Sequence, residues 1–154
     1  MPQTMQLYFE DFAPGQVYPG QRRTLDEDAF RGFAAITGDA HPIHYDAQYA
    51  ARTRFGKRVA HGLLVTAVGA LGATPLSAQL EEALVAFVEQ DAKFLKPVLI
   101  GDEVRTELEV EWTKATPSGE TGLVRFAVRV YGASGEVAML GHHTYLIRTR
   151  AGTS

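Results

Sequence analysis

Two residue types that suit proton transfer stand close together in the segment TGDAHPIH, which contains Asp39, His41 and His44. A carboxylate and an imidazole in different environments can divide the roles of acid and base at neutral pH. Asp39 and His44 are five positions apart, so on one α-helix they would point about 140° away from each other. A site that they share must therefore come from a loop. We predict such an acid–base pair; the simpler alternative is that Asp39 caps a turn while His44 packs in the core.

The chain before this segment predicts a helix that delivers Asp39. Thr24, followed three residues later by Glu27, matches a capping box, and apolar residues recur at helical spacing over 25–36. Gly38 is placed to end that helix with a left-handed residue, a conformation that costs glycine little. Asp39 is then the first side chain beyond the helix end.

The chain after Asp39 is restrained by a proline. Pro42 biases His41 toward an extended conformation, so residues 39–44 do not continue the preceding helix. Asp46 can cap a short second helix through AQYAAR, and the basic segment RTRFGKRVA follows as a connection. The predicted loop is therefore stiffened at both ends.

A wholly apolar segment, GLLVTAVGALGA at 62–73, predicts a buried helix that begins near His61. Four segments downstream have strand character, namely 83–95, 103–112, 123–131 and 136–150. In the second of them, every other residue from Val104 to Trp112 is predicted to face inward. The turn sequences TPSGETG and YGASGE separate the last three strands, as antiparallel hairpins require. We predict an α+β fold, a single hotdog domain whose antiparallel sheet wraps around the central apolar helix, with an additional helix–loop segment carrying the site.

The composition limits the class of protein. A chain of 154 residues, 45% hydrophobic and 21% charged, fits one globular domain, predicted over residues 1–154. A net charge of −3 gives no broad electrostatic basis for binding nucleic acid. The absence of cysteine excludes disulfides, thiolate metal sites and a cysteine nucleophile. The start shows no signal or transit peptide and no apolar run is long enough to cross a bilayer, so we expect a cytoplasmic protein without a membrane partner.

Several of these features, spaced along most of the chain, agree with one family pattern. They are Gly38, Asp39, Pro42, Ile43 and His44, then Asp46 and Tyr49, then AHG at 60–62 and, more weakly, FLKPVLIGDEV at 94–104. Together they resemble the MaoC-like dehydratases, the (R)-specific enoyl-CoA hydratase family of hotdog proteins. Agreement of several spaced features is far more specific than one short motif.

The resemblance implies an activity, a substrate and a site. Family members reversibly add water to a trans-2-enoyl thioester to give an (R)-3-hydroxyacyl thioester, and their catalytic Asp and His fall on Asp39 and His44. The implied substrate is an acyl-CoA or an acyl carrier protein thioester, with coenzyme A present only as part of the substrate and no other cofactor. Sheets of this fold commonly pair across a homodimer, or within a higher homo-oligomer. His41 stands where the family pattern usually has Asn, and imidazole replaces an amide's hydrogen bonds only in part and can titrate near neutral pH.

Gly62 and His61 are candidates for a supporting role in that reaction. Negative charge develops on the thioester oxygen, and backbone N–H groups at a buried helix start would stabilise it. The resemblance assigns this role to Gly62; tight packing of helix on sheet is an equally good reading. His61 is expected to be a cap or interface residue rather than a catalyst, and with His41 it is a candidate second layer around the pair.

Basic and small residues flank the start and the end of the apolar helix. The basic ones can hold CoA phosphates through charge-assisted hydrogen bonds, although a solvated loop is the simpler reading for any one of them. They are Arg52, Arg54, Lys57 and Arg58. The small ones, from Gly69 to Ala73, either leave room for an acyl chain or let the helix sit close to its sheet, and close packing is the favoured reading.

No metal site is predicted. The pair His41-x-x-His44, with carboxylates nearby, contains ligand types that zinc uses, but Pro42 between the histidines and the lack of helical spacing argue against coordination. His142 and His143 are adjacent in a strand and point to opposite faces, so they are not a ligand pair.

The sequence leaves three functions in competition. The leading one is a lyase, an enoyl-CoA hydratase or 3-hydroxyacyl thioester dehydratase. A hotdog thioesterase would instead direct the activated water at the thioester carbonyl. A non-catalytic acyl-thioester binding module is the third, with His41 marking an altered site.

Overall fold

A computed structural model of the protein describes residues 4–153. Its elements in chain order are β1 (Val17–Thr24), α1 (Glu27–Thr37), α2 (Pro42–Tyr45), α3 (Ala47–Ala51), α4 (Gly62–Val68), α5 (Leu76–Gln79), β2 (Leu84–Phe94), β3 (Glu103–Ala115), β4 (Thr121–Tyr131) and β5 (Val137–Arg148). None of the helices in this range combines the length and the apolar character needed to cross a bilayer. The predicted domain also includes residues 1–3 and 154, which lie outside the described residues, so its bounds stay a prediction.

Within residues 4–153, five strands form one antiparallel sheet in the order β1-β3-β4-β5-β2. β3, β4 and β5 follow one another as the two predicted hairpins and pair along most of their lengths. β2 pairs with β5 at one edge of the sheet, and β1 pairs with β3 at the other. The four predicted strands are all present, and the predicted α+β hotdog architecture is confirmed.

The inner face of the sheet carries α4. The inward residues of β4 are fully buried, as the alternation predicts: Val124, Phe126, Val128 and Val130. The hydroxyl of Thr106 on β3 donates to the carbonyl of Val68 at 3.0 Å, which ties the helix end to the sheet. A methyl group on Gly69 would lie 3.3 Å from the side chain of Val128. At Gly69, therefore, close packing of helix on sheet is what the small residue permits.

The central helix is shorter and less enclosed than predicted. α4 ends at Val68 rather than at residue 73, because the N–H of Gly69 turns back to the carbonyl of Thr66 at 3.0 Å. The chain continues as a 3₁₀ turn over Leu71–Ala73. Leu63 is 66% exposed in the described chain, so the prediction that protein surrounds the helix on every side is wrong for the chain taken alone.

A β-bulge limits the predicted alternation in β3. Residues Val104 to Val110 bury every second side chain as predicted. The register against β4 then shifts between Val110 and Trp112. An extra residue at a bulge changes which side chain faces the core, and Trp112 is 36% exposed instead of buried.

The start of α1 also differs from the prediction. Thr24 is the last residue of β1, where it pairs with Glu103, and it does not cap the helix. Asp26 is the N-cap, and its carboxylate accepts a hydrogen bond from the N–H of Ala29 at 3.0 Å. The helix therefore covers Glu27–Thr37 rather than 25–36. Its end is confirmed, since Gly38 has φ 74° in the left-handed region.

Candidate active site

Asp39 leaves the end of α1 as predicted and is exposed in the described chain. Its backbone N–H lies 3.2 Å from the hydroxyl of Thr37, which accepts from it. One carboxylate oxygen accepts from the N–H of His41 at 3.3 Å. These bonds hold the turn after Gly38 and leave the rest of the carboxylate open.

His44 lies on the short helix α2 rather than in an open loop. The predicted loop is correct as far as His41, and Pro42 then begins a helical turn, because its fixed φ suits the first helical position. Nδ1 of His44 lies 2.6 Å from the carbonyl of Val59. A carbonyl only accepts, so Nδ1 carries a proton, and in the neutral ring Nε2 is the nitrogen with the lone pair. His44 thus has one nitrogen free to receive a proton.

His61 is the N-cap residue of α4 and supports His44 directly. Its ring stacks on that of His44 with centroids 3.7 Å apart and planes inclined by 25°. It is 3% exposed, and burial lowers the pKa of His61, with the backbone carbonyl of Asp39 partly opposing this effect. A neutral ring can stack on His44 without adding a second positive charge when His44 accepts a proton.

Tyr45 links His61 to α1. The Tyr45 hydroxyl donates to the carbonyl of Phe30 at 2.8 Å and lies 3.0 Å from Nε2 of His61. The same Nε2 lies 3.2 Å from the carbonyl of Asp39, so it donates to both oxygens. Burial raises the pKa of Tyr45, which keeps its hydroxyl a donor. The sequence analysis missed Tyr45, because a tyrosine beside a histidine carries no signal of its own.

The predicted pair and His61 therefore form one cluster. Asp39, His44 and His61 each bring a nitrogen or carboxylate oxygen to within 4.8 Å of the other two. Carboxylate and imidazole groups can ligate a metal ion. The nitrogen lone pairs of an imidazole lie in the plane of its ring, however, so the stacked rings of His44 and His61 do not direct their lone pairs at a common point. An imidazole beside a carboxylate suits general acid–base chemistry instead. The absence of a resident metal stays a prediction.

Gly62 opens α4 next to this cluster. A methyl group on Gly62 would lie 3.0 Å from the Phe94 ring, so close packing explains the glycine on that side. Among the described residues, its N–H has no hydrogen-bond partner. Gly62 is therefore compatible with both predicted roles, close packing and a backbone donor to a thioester oxygen.

A cleft of about 350 Å³ runs past Gly62, between the segments 54–65 and 94–98. Arg54 and Lys96 line it, and so does Val59, the residue that holds His44. Asp39 and His44 are not part of its wall. Lys96 and the Phe94 ring were missed by the sequence analysis, which read 94–104 only as part of a family pattern.

The predicted basic residues separate into two groups. Arg58 is held inside the structure, where it pairs with Glu27, donates to the carbonyl of Tyr45 at 3.3 Å and has a side chain only 13% exposed. Arg52, Arg54 and Lys57 are exposed. Only these three are placed to meet a ligand from solvent.

A second cavity of about 330 Å³ lies farther along α4, beside β2 and β5. Ala70 and Gly72 line it, and a methyl group on Gly72 would meet no atom within 4 Å. His143 and Tyr145 form part of its wall. Of the small residues, Gly69 thus packs closely and Gly72 borders open space.

His142 points to the other face of the sheet and contacts Asp91, so the prediction for the two adjacent histidines is confirmed.

The sequence and the fold were compared with those of known proteins. The sequence matches the family described as MaoC like domain over residues 11–129. It is 39% identical over 110 residues to the 3-hydroxybutyryl-CoA dehydratase of Methylorubrum extorquens, covering 71% of this chain and 68% of that one. It is 32% identical over 143 residues to the (R)-specific enoyl-CoA hydratase of Rhodospirillum rubrum, covering 93% of each. A solved Archaeoglobus structure described as a monoamine oxidase regulatory protein superposes with TM-score 0.88 at 30% identity, covering 97% of this chain and 99% of that one.

Proposed function

Because the chain belongs to the MaoC-like domain family, we propose that it reversibly adds water to trans-2-enoyl-CoA and gives (R)-3-hydroxyacyl-CoA. The names of its relatives support hydration or dehydration of CoA thioesters, and thus a hydro-lyase, at the level of the family. The observation that carries the proposal is the meeting of Asp39 and His44 in one cluster in which His44 keeps a free nitrogen.

Asp39 and His44 share one water in the proposed reaction. Nε2 of His44 accepts a proton from the water while the carboxylate of Asp39 orients it, and the oxygen bonds to C3 of the enoyl group. The electron pair of the double bond moves toward the thioester, and a proton returned by the pair completes the product at C2. The stacked, neutral His61 holds the His44 ring in place during both transfers. No cofactor takes part beyond the coenzyme A of the substrate.

The N–H of Gly62 is the proposed donor to the thioester oxygen. Negative charge develops on that oxygen when water attacks C3, and a fixed backbone donor stabilises it without reorganisation. The absence of a partner for this N–H among the described residues supports the role. The Phe94 ring beside Gly62 would then form one wall of the thioester channel.

The cleft past Gly62 is the proposed path of the CoA moiety, and the apolar cavity beyond it receives the acyl chain. Arg54 and Lys96 supply positive charge in the cleft for the phosphates. Arg52 and Lys57 are nearby exposed cations, whereas Arg58 is already paired with Glu27. The acyl cavity includes the open space at Gly72.

A homodimer through the edge strand β2 is the proposed assembly. Among the described residues, β2 has a strand neighbour on one side only. Val85, Phe87 and Val88 on this strand are 45%, 53% and 54% exposed. An apolar strand with an unpaired edge is unfavourable in water, and a second copy would cover it together with Leu63 of α4.

The function is tested with purified protein and crotonyl-CoA. Loss of enoyl absorbance without release of free thiol is expected for a hydratase, whereas free thiol would indicate a thioesterase. Substrate binding without either change would indicate a binding module. Asp39→Asn and His44→Ala should each lower kcat by about 10²–10⁴.

Matched substitutions control for the loss of a carboxylate or an imidazole as such. Asp28 is an exposed carboxylate in the first turn of α1, and His142 lies on the outer face of the sheet. Asp28→Asn and His142→Gln should keep wild-type turnover. Wild-type rates in Asp39→Asn and His44→Ala would refute the catalytic assignment.

A further inference from the structure

His41 lies between the two residues of the proposed catalytic pair and is bonded to the chain segments of both. Its backbone N–H donates to the carboxylate of Asp39 at 3.3 Å. Its ring Nδ1 accepts from the N–H of Ile43, in the first turn of α2, at 3.2 Å. His41 is therefore the N-cap of the four-residue helix that carries His44.

This cap differs in chemistry from the caps of the neighbouring helices. α1 and α3 are capped by the carboxylates of Asp26 and Asp46. Carboxylates accept hydrogen bonds throughout the neutral range, whereas imidazole accepts through Nδ1 only while that nitrogen has a lone pair. Histidine changes charge between about pH 5 and pH 8. Of these three caps, only that of α2 is an imidazole.

Three groups lie close to His41 in the described chain. They are the carboxylate of Asp39, the His44 ring with its centroid 6.2 Å away, and the Tyr49 ring of α3 at 5.9 Å. A protonated His41 is attracted by Asp39 and repelled by a protonated His44.

We propose that His41 is a positioning residue whose neutral imidazole caps the turn carrying His44, so that acid releases this turn and separates Asp39 from His44. A helix of four residues is not stable by itself, so it depends on its end contacts more than a long helix does. The kinetic consequence rests on the proposed function. The cap itself is a property of the chain and can be measured without turnover.

The cap is tested by NMR, through exchange of the Ile43 amide proton with water, corrected for the intrinsic pH dependence of exchange. Between about pH 8 and pH 5, the range in which histidine titrates, protection should fall about fivefold in the wild type, as for loss of an N-cap. His41→Asn should keep protection at both pH values, because Asn is a strong cap that does not titrate. His41→Ala should show low protection at both.

The Ala29 amide, which is capped by Asp26, is the internal control and should stay equally protected in all three proteins. Equal protection of Ile43 at both pH values in the wild type would overturn the proposal. The same pH dependence in wild type and His41→Asn would overturn it as well.

The kinetic arm follows log(kcat/KM) on the acid side. Loss of the cap should make kcat/KM of the wild type fall by up to about fivefold more than that of His41→Asn, because the cap contributes about a factor of five. Superimposable acid limbs would show that the cap does not control the pair. If the protein has no hydratase activity at all, the amide measurements still decide whether His41 is an acid-labile cap.

Discussion

His143 should make the stability of the protein fall on mild acidification. The ring is 3% exposed and packs against Phe87 at 5.0 Å between centroids. Burial lowers the pKa of His143 from 6.5 to about 4, with the charge of Asp91 partly opposing the effect. As the pH falls, the unfolded chain takes up a proton near 6.5 and the folded chain only near 4. In that window the unfolded state binds more protons, so stability decreases as the pH decreases.

The size of the effect follows from the width of the window. One pH unit is worth about 1.4 kcal/mol, so the whole window corresponds to roughly 3 kcal/mol. Between about pH 7 and pH 5 the expected loss in free energy of unfolding is about 2 kcal/mol from His143 alone. Glu27 does not contribute between about pH 7 and pH 5, because Arg58 and Arg31 lower its pKa from 4.5 to about 2, so its own stabilisation is lost only as the pH falls from about 4.5 toward 2.

Urea unfolding of wild type and His143→Leu at both pH values measures this loss. The substitution also changes packing, but that change is common to both pH values and cancels in the difference. The variant should lose about 2 kcal/mol less than the wild type on acidification, at equal protein concentration. His142→Gln, the neighbour on the other face of β5, should retain the loss that His143 causes. If His143→Leu weakens with acid as much as the wild type does, the buried ring is not the source.

Three further predictions concern the site and its surroundings. Tyr45→Phe removes the hydroxyl that joins Phe30 to His61. It should lower the free energy of unfolding in urea by about 0.5–1.5 kcal/mol and lower kcat more than it raises KM. An unchanged free energy of unfolding and an unchanged kcat would show that the Tyr45 hydroxyl does not support the cluster. Ala70→Phe fills part of the apolar cavity and should lower the ratio of kcat/KM for a medium-chain enoyl-CoA to that for crotonyl-CoA, whereas a constant ratio would place the acyl chain elsewhere. Val88→Asp puts a charge on the exposed edge strand and should shift the sedimenting species from dimer to monomer; an unchanged mass would exclude this edge as the interface.

The sequence predicts the framework of the fold well where one local signal dominates. Gly38 ends α1 because glycine alone adopts its left-handed conformation at little cost, and the inward residues of β4 follow strict alternation. The errors occur where pairing with another strand overrides the local signal. Thr24 has a side chain that could cap a helix, but it pairs with β3 as the last residue of β1, and Asp26 caps α1 instead. Trp112 continues the sequence alternation of β3, but the pairing of β3 with β4 produces a bulge before it. The sequence around Trp112 gives no sign of this bulge.

The site itself was predictable only in part. The meeting of Asp39 and His44 could be expected from a stiffened loop, whereas the stacking of His61 on His44 depends on how α4 docks against α2. The role of Arg58 was equally hidden, since its partner Glu27 lies 31 residues away on another helix. Side chains that support a site through tertiary contacts leave no spacing pattern, and Tyr45, Phe94 and Lys96 were missed for that reason.

The contacts that assemble the cluster join residues that are near one another in the chain. His44 and Val59, and likewise Phe30 and Tyr45, are 15 residues apart, and Asp39 and His61 are 22 apart. The sheet, by contrast, closes over long distances, as in the pairing of Val17 with Glu109. A segment held by such short-range contacts can open locally at a smaller cost in free energy than unfolding of the whole domain. The segment that carries the proposed catalytic pair can therefore unfold and refold while the sheet stays folded. Inactivation by heat or denaturant would then report the opening of this segment and not the unfolding of the domain.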